Sequence, residues 1–165
     1  MFKDLSFDDY YAEEPPHTLI DVPFVPTDEK SVDVMLNLAG LGPKDVLYDL
    51  GSGDGRIVVA AAMEWGARGV GIEMDPLRIE EAVEYANWSK VSHMVDFVEA
   101  DLLKVDFSEA TVVTMYLLHS VNIELRPRLL NELKPGTRVI SHAFDMGDWR
   151  ADERVQFSSV NIYKW

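Results

Sequence analysis

Three glycines within five residues, Gly51, Gly53 and Gly55, separate the short apolar run Val46–Leu50 from the alanine-rich stretch Arg56–Trp65. Glycine enters positive φ without a Cβ penalty, so this density marks a chain that leaves a strand, turns sharply and starts a helix at once. Backbone bent in that way lies bare at a helix start, where a ligand can approach it closely.

The rest of the chain repeats the alternation. Residues 69 to 73 read as the next strand, and Asp75 as N-cap with Pro76 at the first helical position opens a helix to about Trp88. Residues 94 to 99 and 111 to 118 are apolar or β-branched runs of strand length. Residues 122 to 133 are helical in composition, with Pro127 predicting a boundary or kink inside them. After the Pro135-Gly136 turn comes a strand over 138 to 144. A final antiparallel pair over 154 to 165 turns near Phe157-Ser158-Ser159 without the usual Asn-Gly or Asp-Gly. Upstream, Val32, Met35, Leu36 and Ala39 recur at helical spacing, with Thr27 placed to N-cap and Gly40 to C-cap. Strands separated by helices build right-handed βαβ units around a mainly parallel sheet covered on both faces, so the fold class is α/β. A length of 165 residues suits one domain.

In such sheets ligands bind beyond the carboxyl ends of the strands, which makes the residues after each strand the informative ones. The loop reads G-x-G-x-G rather than the dinucleotide pattern G-x-G-x-x-G, and Asp49 and Asp54 flank it with charge that would repel a pyrophosphate. A Gly-Lys pair is missing nearby, which excludes a P-loop. The ligand that suits this loop is a nucleoside without phosphates and with some positive charge. Glu73 ends the second strand 22 residues after Gly51, the distance at which an acid accepts ribose hydroxyls. Met74 then offers a soft apolar surface to a base. Asp101 and Leu102, after the third strand, pair an acceptor for an exocyclic amine with an apolar flank. Each has a plainer role: Asp75 as a cap, Glu73 as an exposed strand end, Asp101 as a turn residue. Their joint placement after successive strands favours a site.

Charge and composition narrow the function further. Acidic residues outnumber basic ones by 29 to 15, for a formal charge of −14, which disfavours nucleic acid and favours cationic partners. Residues 1 to 33 carry nine acids against two lysines, with five aromatics and four prolines among them, so residues 1 to 26 read as an arm and 27 to 165 as the domain. The longest purely apolar run, 57 to 63, is far short of the roughly 20 residues of a membrane span. The acidic N-terminus lacks the pattern of a secretory signal, and the expected location is the cytoplasm. Cysteine is absent, which removes disulfides, thiolate zinc sites and a cysteine nucleophile. His17, His93, His119 and His142 show no ligand spacing, so no metal is expected.

The stretches YDLGSGDGR at 48 to 56, GIEMD at 71 to 75, EADL at 99 to 102 and VVTMYLL at 112 to 118 resemble the class I S-adenosylmethionine-dependent methyltransferases. That resemblance implies a Rossmann-like seven-strand sheet ending in an antiparallel hairpin, with S-adenosylmethionine as cofactor. By the family's roles, Asp49, Gly51, Ser52 and Gly53 would surround the methionine part and Glu73 would hold the ribose. Met74 would pack on adenine, and Asp101 with Leu102 would contact its edge. More narrowly, residues 22 to 165 are similar to the small protein-lysine methyltransferases of archaea and their bacterial and mitochondrial relatives, through VPFVPTDEKSVDVML, EATVVTMYLLHSVN and LKPGTRVISHAF. In that branch the VPFVPT segment lies across the cofactor, which would bring Phe24, Pro26 and Thr27 into the site. The implied activity is methyl transfer to lysine side chains of a basic protein substrate. Tyr116 would wall the acceptor channel and His119 would take a proton, its ordinary pKa of about 6.5 being suited to that. His142, near the end of the fifth strand, is a further histidine candidate. The N-D/N-P-P-Y type motif of many amine methyltransferases is missing. Rival readings are a small-molecule or RNA methyltransferase, and a non-enzymatic binding module that keeps the cofactor fold.

Overall fold

A computed structural model describes residues 25–165, so Phe24 and most of the expected arm lie outside the described residues. Seven strands form one sheet: β1 (Val46–Leu50), β2 (Arg68–Glu73), β3 (Val95–Glu99), β4 (Val112–Met115), β5 (Arg138–His142), β6 (Glu153–Phe157) and β7 (Val160–Lys164). Their order is β3-β2-β1-β4-β5-β7-β6, the first five parallel and β7 antiparallel to both β5 and β6. Four helices are described: α1 (Glu29–Ala39), α2 (Arg56–Trp65), α3 (Pro76–Trp88) and α4 (His119–Glu132). The α/β expectation, with its C-terminal hairpin, is met.

One sheet face is covered by Val32, Met35 and Leu36 of α1, Val58 and Ala61 of α2 and Ala86 of α3. The other is covered by Val121, Leu125 and Leu129 of α4 together with Phe107, Met146 and Trp165. β1 and β4 lie between these layers and are buried almost throughout, which is why they read as continuous apolar runs. No helix intervenes between β3 and β4. Beside that crossover, towards the amino ends of β1 and β2, the sheet keeps a groove of about 410 Å³ that includes Tyr48, Arg68, Asp96 and Glu109.

Local signals set most helix ends. Asp75 Oδ1 accepts from the Leu77 amide at 3.0 Å, and Gly40 closes α1 at φ 62°. The expected cap of α1 is corrected by one residue: Asp28, not Thr27, accepts from the Ser31 amide at 3.0 Å. Thr27 is instead buried, with its carbonyl drawn to Arg56. Of the boundary or kink expected at Pro127, the boundary does not occur, and α4 runs through it. Pro127 and Ile123, whose carbonyl loses its helical partner, are both exposed. The strands expected over 111–118 and 138–144 are shorter than expected. Residues 116–118 leave the sheet after β4, and Ala143 turns the chain away from β5 at φ 71°. The hairpin turn uses Ser158 and Ser159 at φ 48° and 64°, the left-handed pair that Asn-Gly normally supplies.

Candidate active site

β1 ends in a loop held down by the neighbouring strand. The Gly51 and Ser52 amides both donate to the Ile72 carbonyl at 2.9 Å, and Gly51 takes φ +83°. A Cβ at Gly51 would stand 3.0 Å from Leu117 Cδ2 and 3.9 Å from Leu102 Cδ2, so the bare backbone here faces an apolar slot made by the ends of β3 and β4. Gly55 is required for packing as well as for its φ of +80°, since a Cβ would lie 2.8 Å from Phe97 and 2.9 Å from Ala82. On β2, a Cβ at Gly71 would lie 2.6 Å from Ser52 Oγ. That glycine gives Ser52 its place, buried and with its hydroxyl lacking a hydrogen-bond partner among the described residues.

Three carboxylates converge on the loop. Glu73 is anchored, accepting from the Gly53 amide at 3.1 Å through Oε1 and from the Met74 amide at 2.8 Å through Oε2. Asp49 is buried and accepts from Thr114 Oγ1 at 2.8 Å. Burial pushes its pKa up to about 7, against the pull of that hydrogen bond and with the charges of Glu73 and Asp54 adding to the rise. Asp54 takes the Arg56 fork, with Nε at 3.0 Å and Nη2 at 2.5 Å. The hydrogen bond to Asp54 holds the guanidinium more firmly protonated than usual, and its other arm donates to the Thr27 carbonyl at 3.0 Å. Arg56 thereby ties the segment before α1 to the glycine loop.

Beyond β3, Leu102 is buried facing Gly51, whereas Asp101 caps its own turn, with Oδ1 accepting from the Leu103 amide at 2.9 Å. Both the turn role and the strand-end position of Asp101 are thus realised. Met74 is half-buried beside Glu73. Beyond β4, the Tyr116 ring meets His142 edge to face, at 4.3 Å between centroids and 81° between planes. His119 opens α4 half-exposed, its Nδ1 3.3 Å from Asp145 Oδ1. Asn122, fully buried, donates towards Ser141 Oγ at 3.3 Å and to the carbonyls of Phe144 and Asp145 at 3.3 and 3.2 Å, fixing the exit from β5.

The structure therefore brings Asp49, Gly51, Ser52, Gly53, Glu73 and Leu102 together, with Thr27 laid over the loop and Tyr116 at the adjoining strand end. Reading the sequence missed Thr114, Asn122 and the bridging role of Arg56. Thr114 lies inside a run read only as strand, and nothing in the spacing links Arg56 to Thr27. The donor set contains acids, bared amides and one unpaired hydroxyl, and the nearby guanidinium is consumed by Asp54 and Thr27. Such a set fits S-adenosylmethionine, a cationic ligand without phosphate.

The model of one protein family, the ANTKMT methyltransferase domain, matches residues 49–153. The chain is 44% identical over 142 residues to a protein-lysine N-methyltransferase of Saccharolobus islandicus, covering 86% of this chain and 88% of that one. It is 34% identical over 131 residues to the adenine nucleotide translocase lysine N-methyltransferase of Mus musculus, covering 79% of this chain and 57% of that relative. Among solved structures, an RNA methyltransferase from Salinibacter ruber in complex with S-adenosyl-L-homocysteine superposes with a TM-score of 0.85. The two are 54% identical, and the match covers 86% of this chain and 92% of that one.

Proposed function

We propose, because this chain belongs to the ANTKMT methyltransferase-domain family, that it methylates lysine side chains of a basic protein. It is an S-adenosylmethionine-dependent methyltransferase, and the observation that carries the lysine assignment is the 44% identity, across nearly the whole domain, to a protein-lysine N-methyltransferase. The formal charge of −14 agrees, since it attracts lysine-rich partners and repels phosphate backbones. RNA is the second reading, favoured by the description of the Salinibacter structure as an RNA methyltransferase.

The bound cofactor supplies a methyl group on a sulfonium, which leaves as a neutral thioether. For the chain's own residues we assign Glu73 to the ribose hydroxyls, Asp49, Gly51, Ser52 and Gly53 to the methionine part, and Met74 and Leu102 to the faces of the base. Asp101 contacts the adenine edge, and Thr27 covers the ligand. Tyr116 walls the acceptor side, and His119, paired with Asp145 and open to solvent, carries protons at the rim. Positioning and desolvation supply most of the rate in such a displacement, so no covalent nucleophile is needed.

A lysine ammonium has an ordinary pKa of about 10.4 and must lose a proton before it attacks. Apolar walls such as Leu117 lower that value while the acids around β1 and β2 raise it. Initial rates should therefore climb with pH above neutrality; a flat profile, with chemistry shown to be rate-limiting, refutes a lysine acceptor.

The test is transfer of labelled methyl from S-adenosylmethionine to a lysate, split by protease and nuclease digestion, with Glu73→Ala as control. Protease-sensitive label that requires Glu73 is the expected result. Nuclease-sensitive label replaces it with the RNA reading, and absence of either favours a small molecule.

A further inference from the structure

We infer that His142 is the hydrogen-bond acceptor for the substrate amine, its ring standing at the carboxyl end of β5 against Tyr116 with Nδ1 buried and unpartnered. The inference rests on the lysine reading above and assigns the acceptor subsite within it.

β4 and β5 are in register at Met115 and Ser141, so Tyr116 and His142 are the next rung, beyond the last paired residues. The rung stands on the side of β4 away from β1, adjoining the slot that Leu117 makes over Gly51. His142 is only 5% exposed, yet Nδ1 has no hydrogen-bond partner among the described residues. Its immediate neighbour Ser141 is fully satisfied by contrast, donating to the Phe144 carbonyl at 2.6 Å. A buried nitrogen forfeits the hydrogen bond it had in water, and groups left in that state are concentrated where a ligand completes them. Burial also holds the ring pKa below the ordinary histidine value, so the imidazole is neutral and presents a lone pair.

Asp28, the N-cap of α1, is the carboxylate whose charge opposes the effect of burial, and the Tyr116 ring closes the side towards β4. The lysine ammonium loses its proton to solvent, and the neutral amine that remains donates one N–H to Nδ1, which leaves its lone pair free to attack. Asp28 offsets the positive charge that develops on that nitrogen as the methyl group is transferred, and the methylated ammonium then releases a proton to solvent. His119, more than half exposed and engaged with Asp145, lacks this desolvation.

Two variants separate the role from mere packing. His142→Phe keeps a flat ring against Tyr116 but has no nitrogen. His142→Asn sets an amide oxygen near the Nδ1 position, able to accept a hydrogen bond but not to serve as a base. Rates of labelled transfer to the lysate proteins that the wild type labels are followed against pH, with S-adenosylhomocysteine affinity measured by calorimetry. His142→Phe should lower kcat/KM for the protein acceptor by up to about a hundredfold, the scale of a lost hydrogen bond to a group that becomes charged, with cofactor-product affinity unchanged. His142→Asn should keep an intermediate rate and lose the acid limb, which in the wild type lies below the ordinary histidine range. A ¹⁵N spectrum of wild-type protein loaded with S-adenosylhomocysteine should show the Nδ1 resonance moving as n-butylamine is added.

A wild-type rate and pH profile in His142→Phe, a loss of affinity that matches the loss of rate, or an unmoved Nδ1 resonance overturns the inference while the lysine reading stands. If the wild type labels no protein, the lysine reading fails and this inference goes with it.

Discussion

Asp49 should make cofactor binding a proton-releasing event. Its carboxyl, buried behind the glycine loop, is pushed from 3.8 up to about 7, burial being the largest cause and the neighbouring charges of Glu73 and Asp54 adding to it. At about 1.4 kcal/mol for each unit, ionising Asp49 in the free protein costs about 4 kcal/mol more than in water. A cationic ligand over the loop repays part of that cost, so the bound form favours the carboxylate. The folded chain holds a proton that the unfolded chain has lost between pH 3.8 and about 7, so this group's contribution to stability falls as pH rises through that window. S-adenosylmethionine affinity should therefore be level above pH 7 and fall about tenfold for each pH unit below it. At about pH 6, calorimetry in buffers of different ionisation enthalpy should report nearly one proton released per cofactor bound. Asp49→Asn should abolish both the release and the slope, and should stabilise the free protein at alkaline pH. Affinity that is level from about pH 5.5 to 8 in the wild type, or an unchanged slope in Asp49→Asn, refutes the linkage.

The other expectations concern packing and closure. Ser158→Asn with Ser159→Gly relieves left-handed strain at two residues and should stabilise the hairpin by about 1–2 kcal/mol in denaturant unfolding, with methyl transfer unaffected. Gly55→Ala forces a Cβ against Phe97 and Ala82 at positive φ; a cost of about 2–4 kcal/mol should appear in the same unfolding assay. Arg56→Ala frees the Thr27 carbonyl and Asp54 together, so cofactor affinity should weaken by about tenfold, and limited proteolysis should cut sooner near residues 25 to 28.

Local chemistry was legible in the sequence because the interactions behind it are local. Gly40 and the Asp75-Pro76 pair each satisfy helix ends within a few residues of themselves, and their patterns mark α1 and α3 correctly. The glycine loop and its spacing to Glu73 were likewise legible, since both follow from one βαβ unit of fixed dimensions. The acid-rich loop points to a cationic nucleoside through its charge alone. Whether Pro127 ends α4 is not set by sequence alone; at this exposed position the helix continues past it.

What only the tertiary structure decided are the pairings that cross the sheet. Thr114 meets Asp49 from 65 positions away, Arg56 reaches back 29 to Thr27, and the Tyr116 and His142 rings meet across two strand ends. The sequence by itself determined the α/β alternation and placed acids at the strand ends. Which of those groups is buried, and so which holds its proton near neutrality or waits for a partner, depended on strand order and on the helices laid over it. Desolvation belongs to the packed assembly, and no spacing along the chain encodes it.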